Sequence, residues 1–379
     1  MNWTIEGGQV VGGDVTGVRD VHIVDGLLAD DPAPDARRFD ARGLTVAPGI
    51  IDLHGDGFER NLSPRTGVFF DHETALIETD RQLIANGITT AYLAMTISWE
   101  PGLRSLKMAQ ALVAALEVVR PRLIADIRLQ FRWEIYALDA VEEVERWLAL
   151  EPKPTLAFND HFTPMFEKGS RMARDLKKLA ARAGLDDEAY HALNERTRAR
   201  AAEVPAAVAR LAAAAQAANV ICFAHDETTA EMRQQHRALG IAVSEFPLSR
   251  AAAAEAATHG EATVLGAPNV VRDGSHIGAL DAEPASREGL CTALASDYYY
   301  PSLLAAAARL TKTGDMDADA VWALVSGNPA DAVGLSDRGR IAAGRMADLV
   351  LFRPDAPGVE AVFRRGAPAL MASPVRMKR

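Results

Sequence analysis

The sequence predicts an α/β fold: a (β/α)8 TIM barrel carrying a small β-sandwich domain built from both termini. Three observations predict it. Eight short apolar runs alternate with helix-like, Ala-rich stretches between residues 49 and 297. Both ends of the chain instead carry short β-like pieces separated by Gly and Asp turns. His, Asp and Glu residues recur at the ends of the apolar runs, which is where a barrel of this kind keeps its active site.

The first fifty residues read as WTIEGGQVVGG, VRDVHIVDGLLAD and GLTVAPGI, and the last forty as GRIAAGRMADLVLF and VEAVFRRGAPAL. Neither end is long enough to bury much core alone. Residues 1–48 and 340–379 are therefore expected to pair into the small domain, leaving 49–339 for the barrel. Expected barrel strands are 49–54, 88–95, 124–135, 155–160, 220–225, 241–246, 262–266 and 292–297. Stretches such as PGLRSLKMAQALVAALEVV and AAEVPAAVARLAAAAQAA supply the helices between them. The segment 162–218 is long for one crossover and is expected to hold extra helices near the site. No GxGxxG or GxxxxGK follows any strand, which disfavours doubly wound nucleotide-binding folds.

With 49% hydrophobic and 24% charged residues, the 379-residue chain has globular composition. A formal charge of −10 argues against a general nucleic-acid or anionic-membrane binder. Metal ions and a few local Arg or Lys residues could still hold an anionic substrate. Cys222 and Cys291 lie in apolar runs and read as core thiols of a reduced compartment. The N-terminal MNWTIEGGQV has no basic or apolar signal region, and no run reaches the ~18 apolar residues of a membrane span. A cytoplasmic enzyme of small molecules is expected, without nucleic-acid or membrane partners; a homo-oligomer is compatible with the sequence.

The chemistry sits at strand ends. His54 and Asp56 close the first expected strand, Asp160 and His161 the fourth, and His225 and Asp226 the fifth. Glu245 lies near the end of the sixth and Asp297 closes the eighth. In IRLQFRWEIY, Ile127, Leu129, Phe131, Trp133 and Ile135 share one face, and Arg128, Gln130, Arg132 and Glu134 share the other. If the polar face points into the barrel, its charges need partners or metal. Glu134 is thus a candidate to bridge two metal ions. Imidazole and carboxylate donors together suit two divalent ions, zinc foremost, with manganese or iron as alternatives. Such a pair generates hydroxide at neutral pH, with Asp297 placed to take the proton while also touching a metal. Asp160, Asp226 and Glu245 are assigned to orienting the ligand imidazoles. A lone His is more often a core or surface residue, so the metal reading rests on joint placement. His22, His72, His191, His236 and His259 stay in the ordinary class.

The stretch LGAPNVVRDGSHIGAL, 265–280, follows the seventh strand and is too Gly- and Asn-rich to be read as a helix. Loops after late barrel strands often hold phosphate. Asn269, Arg272, Ser275 and His276 are therefore candidate anion-binding residues, with Arg65 in LSPRTG and Lys168 or Arg171 adding charge. The competing reading is an ordinary long loop.

APGIIDLHGD, the late Asp in SDYYYPSLL, and GNPADAVGLSDRGRIAAGRMADLVLF together resemble the amidohydrolase superfamily. Almost end to end, the chain is similar to one family within it, the triphosphate diphosphatases of the carbon–phosphorus lyase pathway. LHGD with SPR, GITT, DH at 160–161, AHDETT, SEFP, GAPNVVRDGSH and SDYYYPSLL carry that likeness. The resemblance implies a metal-dependent hydrolase that cleaves the α–β phosphoanhydride of α-D-ribose 1-methylphosphonate 5-triphosphate, or a related triphosphate. It implies His54, Asp56, Glu134, His161, His225 and Asp297 around the metals. Two departures fall where substrate should sit. Gly55 and Gly57 replace the Thr and Asn of the family's HTDN, and Ala279 stands where GSHSGN has its Asn. The glycines are read as leaving room above the metals for something bulky. Superfamily members usually carry their histidines on strands five and six, whereas this strand count gives four and five. A metal-dependent amidohydrolase acting on a C–N bond, of an N-acyl amino acid or cyclic amide, remains the alternative. A barrel kept as an assembly partner without turnover is a third reading, disfavoured by the intact ligand set.

Overall fold

The computed structural model describes residues 1–167, 171–272, 274, 280–355, 358–373 and 376–378. Eight parallel strands form the barrel: β1 (Ile50–Gly55), β2 (Ile88–Ile97), β3 (Asp126–Glu134), β4 (Thr155–Asn159), β5 (Cys222–His225), β6 (Val243–Glu245), β7 (Ala262–Gly266) and β8 (Ala293–Ala295). These fall on the eight expected runs, with ends shifted by a few residues. The runs are mostly apolar because a parallel sheet covered on both faces has no solvated side. All ten residues of β2, for example, are buried.

Two apolar layers result. Ile51, Leu53, Tyr92, Ala157, Phe223, Val243, Val264, Ala293 and Ala295 meet inside the barrel. Ile127, Leu129, Phe131 and Trp133 of β3 pack outward with the helices, so Gln130, Arg132 and Glu134 face inward as the alternation required. At its other seam the barrel closes sparsely. An isolated bridge joins Gly55 to Asp297. The Asp56 N–H donates to the Asp297 carbonyl at 2.8 Å, and the Asp297 N–H to the His54 carbonyl at 2.9 Å.

Strand β1 is irregular where it matters. Its pairing with β2 steps from Asp52↔Ala91 to Gly55↔Leu93, so one extra residue is accommodated on β1. A bulge of this kind re-aims the side chains that follow it. Leu53 and His54 consequently both turn inward, and Asp56 follows two residues on.

Between β4 and β5, helices Arg171–Ala183, Asp187–Arg198 and Val204–Ala217 form the expected insertion. Buried Glu100, just past β2, ties it down by accepting from the Tyr190 hydroxyl and the Arg182 guanidinium, each at 2.5 Å. After β7, the expected loop begins as a short helix, Ala267–Val271, contrary to the composition argument. Pro268 sits in its first turn, where a missing N–H costs nothing, and Gly274 N–H returns to the Asn269 carbonyl at 2.8 Å.

The termini share one nine-stranded sheet. Trp3–Val10 changes register between Ile5 and Gly8 against Gly17–Val24. Before that point it pairs with Arg37–Asp40, and after it with Thr45–Pro48. Thr45–Pro48 in turn runs antiparallel to Leu349–Phe352, from the opposite end of the chain. The sheet wraps one core in which the Trp3 and Phe363 rings meet edge to face at 5.4 Å. Among the described residues, no helix is long and apolar enough to cross a membrane.

Candidate metal centre

His161 follows β4 and His225 ends β5, so the histidines stand on strands four and five as the residue pattern gave, not on five and six. Inside the mouth of the barrel three groups of side chains converge, each with its ligand atoms within 4.8 Å of one another. They are His54 with His225 and Glu245; His161 with His225 and Asp226; and His54 with Asp56 and Asp297. His54 and His225 each belong to two groups, which makes the three one continuous centre. Glu134 joins it through His161: its Oε1 lies 2.6 Å from Nδ1, and its Oε2 accepts the His161 backbone N–H at 3.1 Å.

Backbone conformation aims several of these groups. Asp226, Phe246 and Asp297, just past the ends of β5, β6 and β8, adopt φ of 59°, 50° and 55°. Left-handed non-glycine residues carry a cost of order 1 kcal/mol and cluster where geometry serves a site. Here each turns the chain sharply at a strand end. Phe246 then lies edge-on to both His54 and His225, with centroids 4.8 and 5.3 Å away, as an apolar wall.

The electrostatics separate the groups. Burial alone would raise the Glu134 carboxyl, but the charge and hydrogen bonds of His161 hold it down at about 2. Burial opposes a charge on His161, yet Glu134 and Asp226 push its pKa to about 9. Burial and the neighbouring Arg132 drive His54 well below its ordinary value, so it is a neutral imidazole with a free lone pair. Burial likewise lowers His225. Burial and the charge of Asp56 lift Asp297 to about 7.

These residues fit divalent metal. His54 Nδ1 sits 2.9 Å from Glu245 Oε1 without the alignment of a hydrogen bond, and His225 Nδ1 lies 3.2 Å from Asp226 Oδ1. His54 Nε2 and Glu245 Oε2 are also buried without hydrogen-bond partners among the described residues. Unpartnered buried donors and acceptors are costly, and imidazole and carboxylate lone pairs converging without mutual hydrogen bonds are what a cation would satisfy. Arg132 is a neighbouring cation, and Arg104 adds a second positive charge nearby. The Arg132 guanidinium reaches His225 Nε2 at 3.2 Å and Asp56 Oδ2 at 3.5 Å.

The sequence-derived assignments divide. Asp226 and Glu245, read as supports for histidines, stand among the ligand-capable atoms themselves. Asp160 supports the turn instead, with Oδ1 accepting the Phe162 and Thr163 N–H groups at 3.1 and 2.8 Å. Gln130 was not singled out, yet its Nε2 donates to Glu245 Oε1 at 2.8 Å from within the inward face of β3. Its alternation with Arg132 and Glu134 was the available signal. None of His22, His72, His191, His236 and His259 enters a ligand group among the described residues.

Of the anion-binding candidates, Arg272 is exposed at the rim and donates to the Tyr298 hydroxyl at 3.2 Å, one residue from Asp297. Arg60, which sequence reasoning passed over, lies 5.8 Å from the same Tyr298 ring. Asn269 is half-buried in the short helix after β7, and Arg65 is exposed in the loop after β1. Ser275, His276, Ala279 and Lys168 lie outside the described residues, as does the side chain of Arg171. The space beside Gly55 and Gly57 is not open for substrate. Asp52 Oδ2 and the Tyr300 ring crowd the first, and the Tyr300 ring borders the second.

The Amidohydrolase family model matches residues 45–372. The chain is 31% identical over 320 residues to the α-D-ribose 1-methylphosphonate 5-triphosphate diphosphatase of Escherichia coli K12, covering 83% of this chain and 84% of that one. Among solved structures it is similar to a β-aspartyl dipeptidase from Fervidobacterium islandicum, with a TM-score of 0.62, 16% identity and coverage of 100% and 99%. A dihydropyrimidinase from Brevibacillus agri gives 0.56, 17%, and 98% and 95%. At those identities the structures speak for the fold alone.

Proposed function

The chain belongs to the amidohydrolase family, as a metal-dependent hydrolase, and from that premise we propose that it cleaves the α–β phosphoanhydride of a sugar 5-triphosphate. The substrate we name is α-D-ribose 1-methylphosphonate 5-triphosphate or a close relative, with the 5-phosphate and pyrophosphate as products. The observation that carries this reading is the 31% identity over 83% of the chain to a diphosphatase of that activity. The two arginines gathered on Tyr298 beside Asp297 support it, because a triphosphate brings charge to that rim.

His54, Asp56, Glu134, His161, His225 and Asp297 would hold two divalent ions, zinc foremost, with Asp226 and Glu245 within reach of the same positions. Such ions, when bound, acidify water and neutralise phosphate oxygens. The chain's own groups do the rest. Asp297, grouped with His54 and Asp56 at the end of β8, accepts a proton from the attacking water. The water oxygen bonds to phosphorus as the bridging P–O bond breaks, and pyrophosphate leaves toward the exposed guanidiniums of Arg60 and Arg272. Phe246 excludes solvent behind the histidines.

A cytoplasmic setting belongs to the same proposal and accords with two buried free thiols, Cys222 and Cys291. A panel of sugar triphosphates, nucleoside triphosphates, N-acyl amino acids and cyclic amides, scored for pyrophosphate, phosphate and amine, tests the activity. Pyrophosphate release from a sugar triphosphate is expected. Amine release with no pyrophosphate from any triphosphate overturns it in favour of C–N hydrolysis.

A further inference from the structure

On the outer side of the β1–β8 seam, the Tyr300 ring is lodged between the two glycines that flank Asp56. A Cβ on Gly55 would lie 2.7 Å from Asp52 Oδ2 and 2.9 Å from Tyr300 Cε1, and one on Gly57 would lie 3.1 Å from Cε2 and 3.2 Å from Cζ. Ordinary carbon contacts are ~3.5–4.0 Å, so the ring already occupies the volume that side chains would need. Opposite edges of one ring face the two glycines.

Tyr300 is held there. It is 4% exposed, belongs to the apolar layer between barrel and helices, and directly precedes Pro301 and helix Ser302–Thr313. Its hydroxyl is buried beside the Phe58 backbone. The backbone contributes little at this seam, where one isolated bridge replaces the ladder that joins every other adjacent pair of barrel strands. Side chains must therefore fix how β1 meets β8. Asp52 and Ser296 do so below the ring, with the Ser296 hydroxyl donating to Asp52 Oδ2 at 2.5 Å.

We infer that Tyr300 is a positioning residue: its ring, wedged against Gly55 and Gly57, sets the direction in which His54 and Asp56 leave β1 relative to Asp297 past β8. The glycines then serve the ring, which takes the place of side chains at 55 and 57. This inference rests on reading the His54–Asp56–Asp297 group as metal-binding.

The test uses the full chain stripped of metal, with Zn2+ as probe. Zinc affinity is measured by competition with a chromophoric chelator, alongside the thermal midpoint of the metal-free form. Tyr300→Phe, which keeps both ring edges, is expected to bind zinc within about twofold of the unmodified chain. Tyr300→Ala and Gly57→Ala are each expected to weaken zinc binding at least tenfold. Adding Gly57→Ala to Tyr300→Ala is expected to cost less than about twofold more, because residues in contact are not additive. Should Tyr300→Ala fail to purify, Tyr300→Leu, which lacks two opposed ring edges, takes its place with the same expectations. Additive losses, unchanged binding in Tyr300→Ala, or Tyr300→Phe behaving like Tyr300→Ala would each overturn the wedge. Failure of the unmodified chain to bind zinc would instead overturn the metal reading beneath it.

Discussion

Glu134 Oε1 lies 2.6 Å from His161 Nδ1, and their pairing holds the carboxyl down at about 2 and pushes the imidazole up to about 9. The linkage follows from those directions. His161 is raised above its ordinary ~6.5, so its stabilisation is full below that value and is lost as pH rises through about 9. Glu134 is depressed, so its contribution is full above ~4.5 and is lost as pH falls through about 2. The metal-free protein therefore keeps this ion pair intact between those limits. Metal must displace the His161 proton, so zinc affinity should climb with pH between 6 and 8.5, by up to about tenfold per unit. Calorimetry in buffers of different ionisation enthalpy should register proton release, and His161→Gln should flatten the pH slope. PH-independent affinity with no proton released would remove His161 from the ligand set.

Replacing Glu134 by Gln keeps the shape and removes the charge that serves both His161 and the ions. Losing such a carboxylate costs on the order of 10- to 100-fold in metal affinity. Elemental analysis after dialysis should then find the variant depleted where the parent is loaded. Full occupancy in Glu134→Gln would show that Glu134 only anchors His161.

Asp52 sits outside the barrel wall at the β1–β8 seam and accepts from the Ser296 N–H at 3.0 Å, the Ser296 hydroxyl at 2.5 Å and the His54 N–H at 3.3 Å. Asp52→Ala would strand these buried donors, at about 1–3 kcal/mol for each left unpaired. Urea unfolding of the metal-free protein should show a loss of about 3 kcal/mol or more, most of it restored in Asp52→Asn. A loss below about 0.5 kcal/mol, the size of an ordinary surface change, would mean that the backbone alone closes the seam.

Much of this architecture is legible in the sequence because the barrel imposes two strong patterns. Strands buried on both faces must be apolar, and side chains at their ends must do something else, so GIIDLHGD and VICFAHD announce themselves. The β3 alternation likewise exposes Glu134 before any coordinates exist. What stayed hidden depends on contacts between distant segments. The β1 bulge follows from pairing with β2 and has no local signature. Gly55 and Gly57 look like space for substrate until Tyr300, more than two hundred residues on, is seen to border both. Gln130 reads as neutral polarity until Glu245 is found against it. The helix at 267–271 forms because Pro268 starts it, against a composition that suggested a loop.

The rim arginines and the strand-end aspartate should fail differently. Arg272, tied to Tyr298 at 3.2 Å, stands where a phosphate chain would enter, and a charged hydrogen bond to phosphate is worth about 1.5–3 kcal/mol. Arg272→Ala should therefore cost roughly ten- to a hundredfold in kcat/KM toward a triphosphate. Toward a neutral amide or ester it should cost little, because that carbonyl presents no charge to the rim. Arg60→Ala should follow the same pattern more weakly, since Arg60 meets Tyr298 through its ring at 5.8 Å and not its hydroxyl. Asp297→Asn should damage every substrate alike, because the proton taken from the attacking water is common to all. Assaying these variants against one sugar triphosphate and one N-acyl amino acid separates the roles. Equal losses on both substrates for Arg272→Ala would make the rim structural and leave C–N hydrolysis as the better reading of the site.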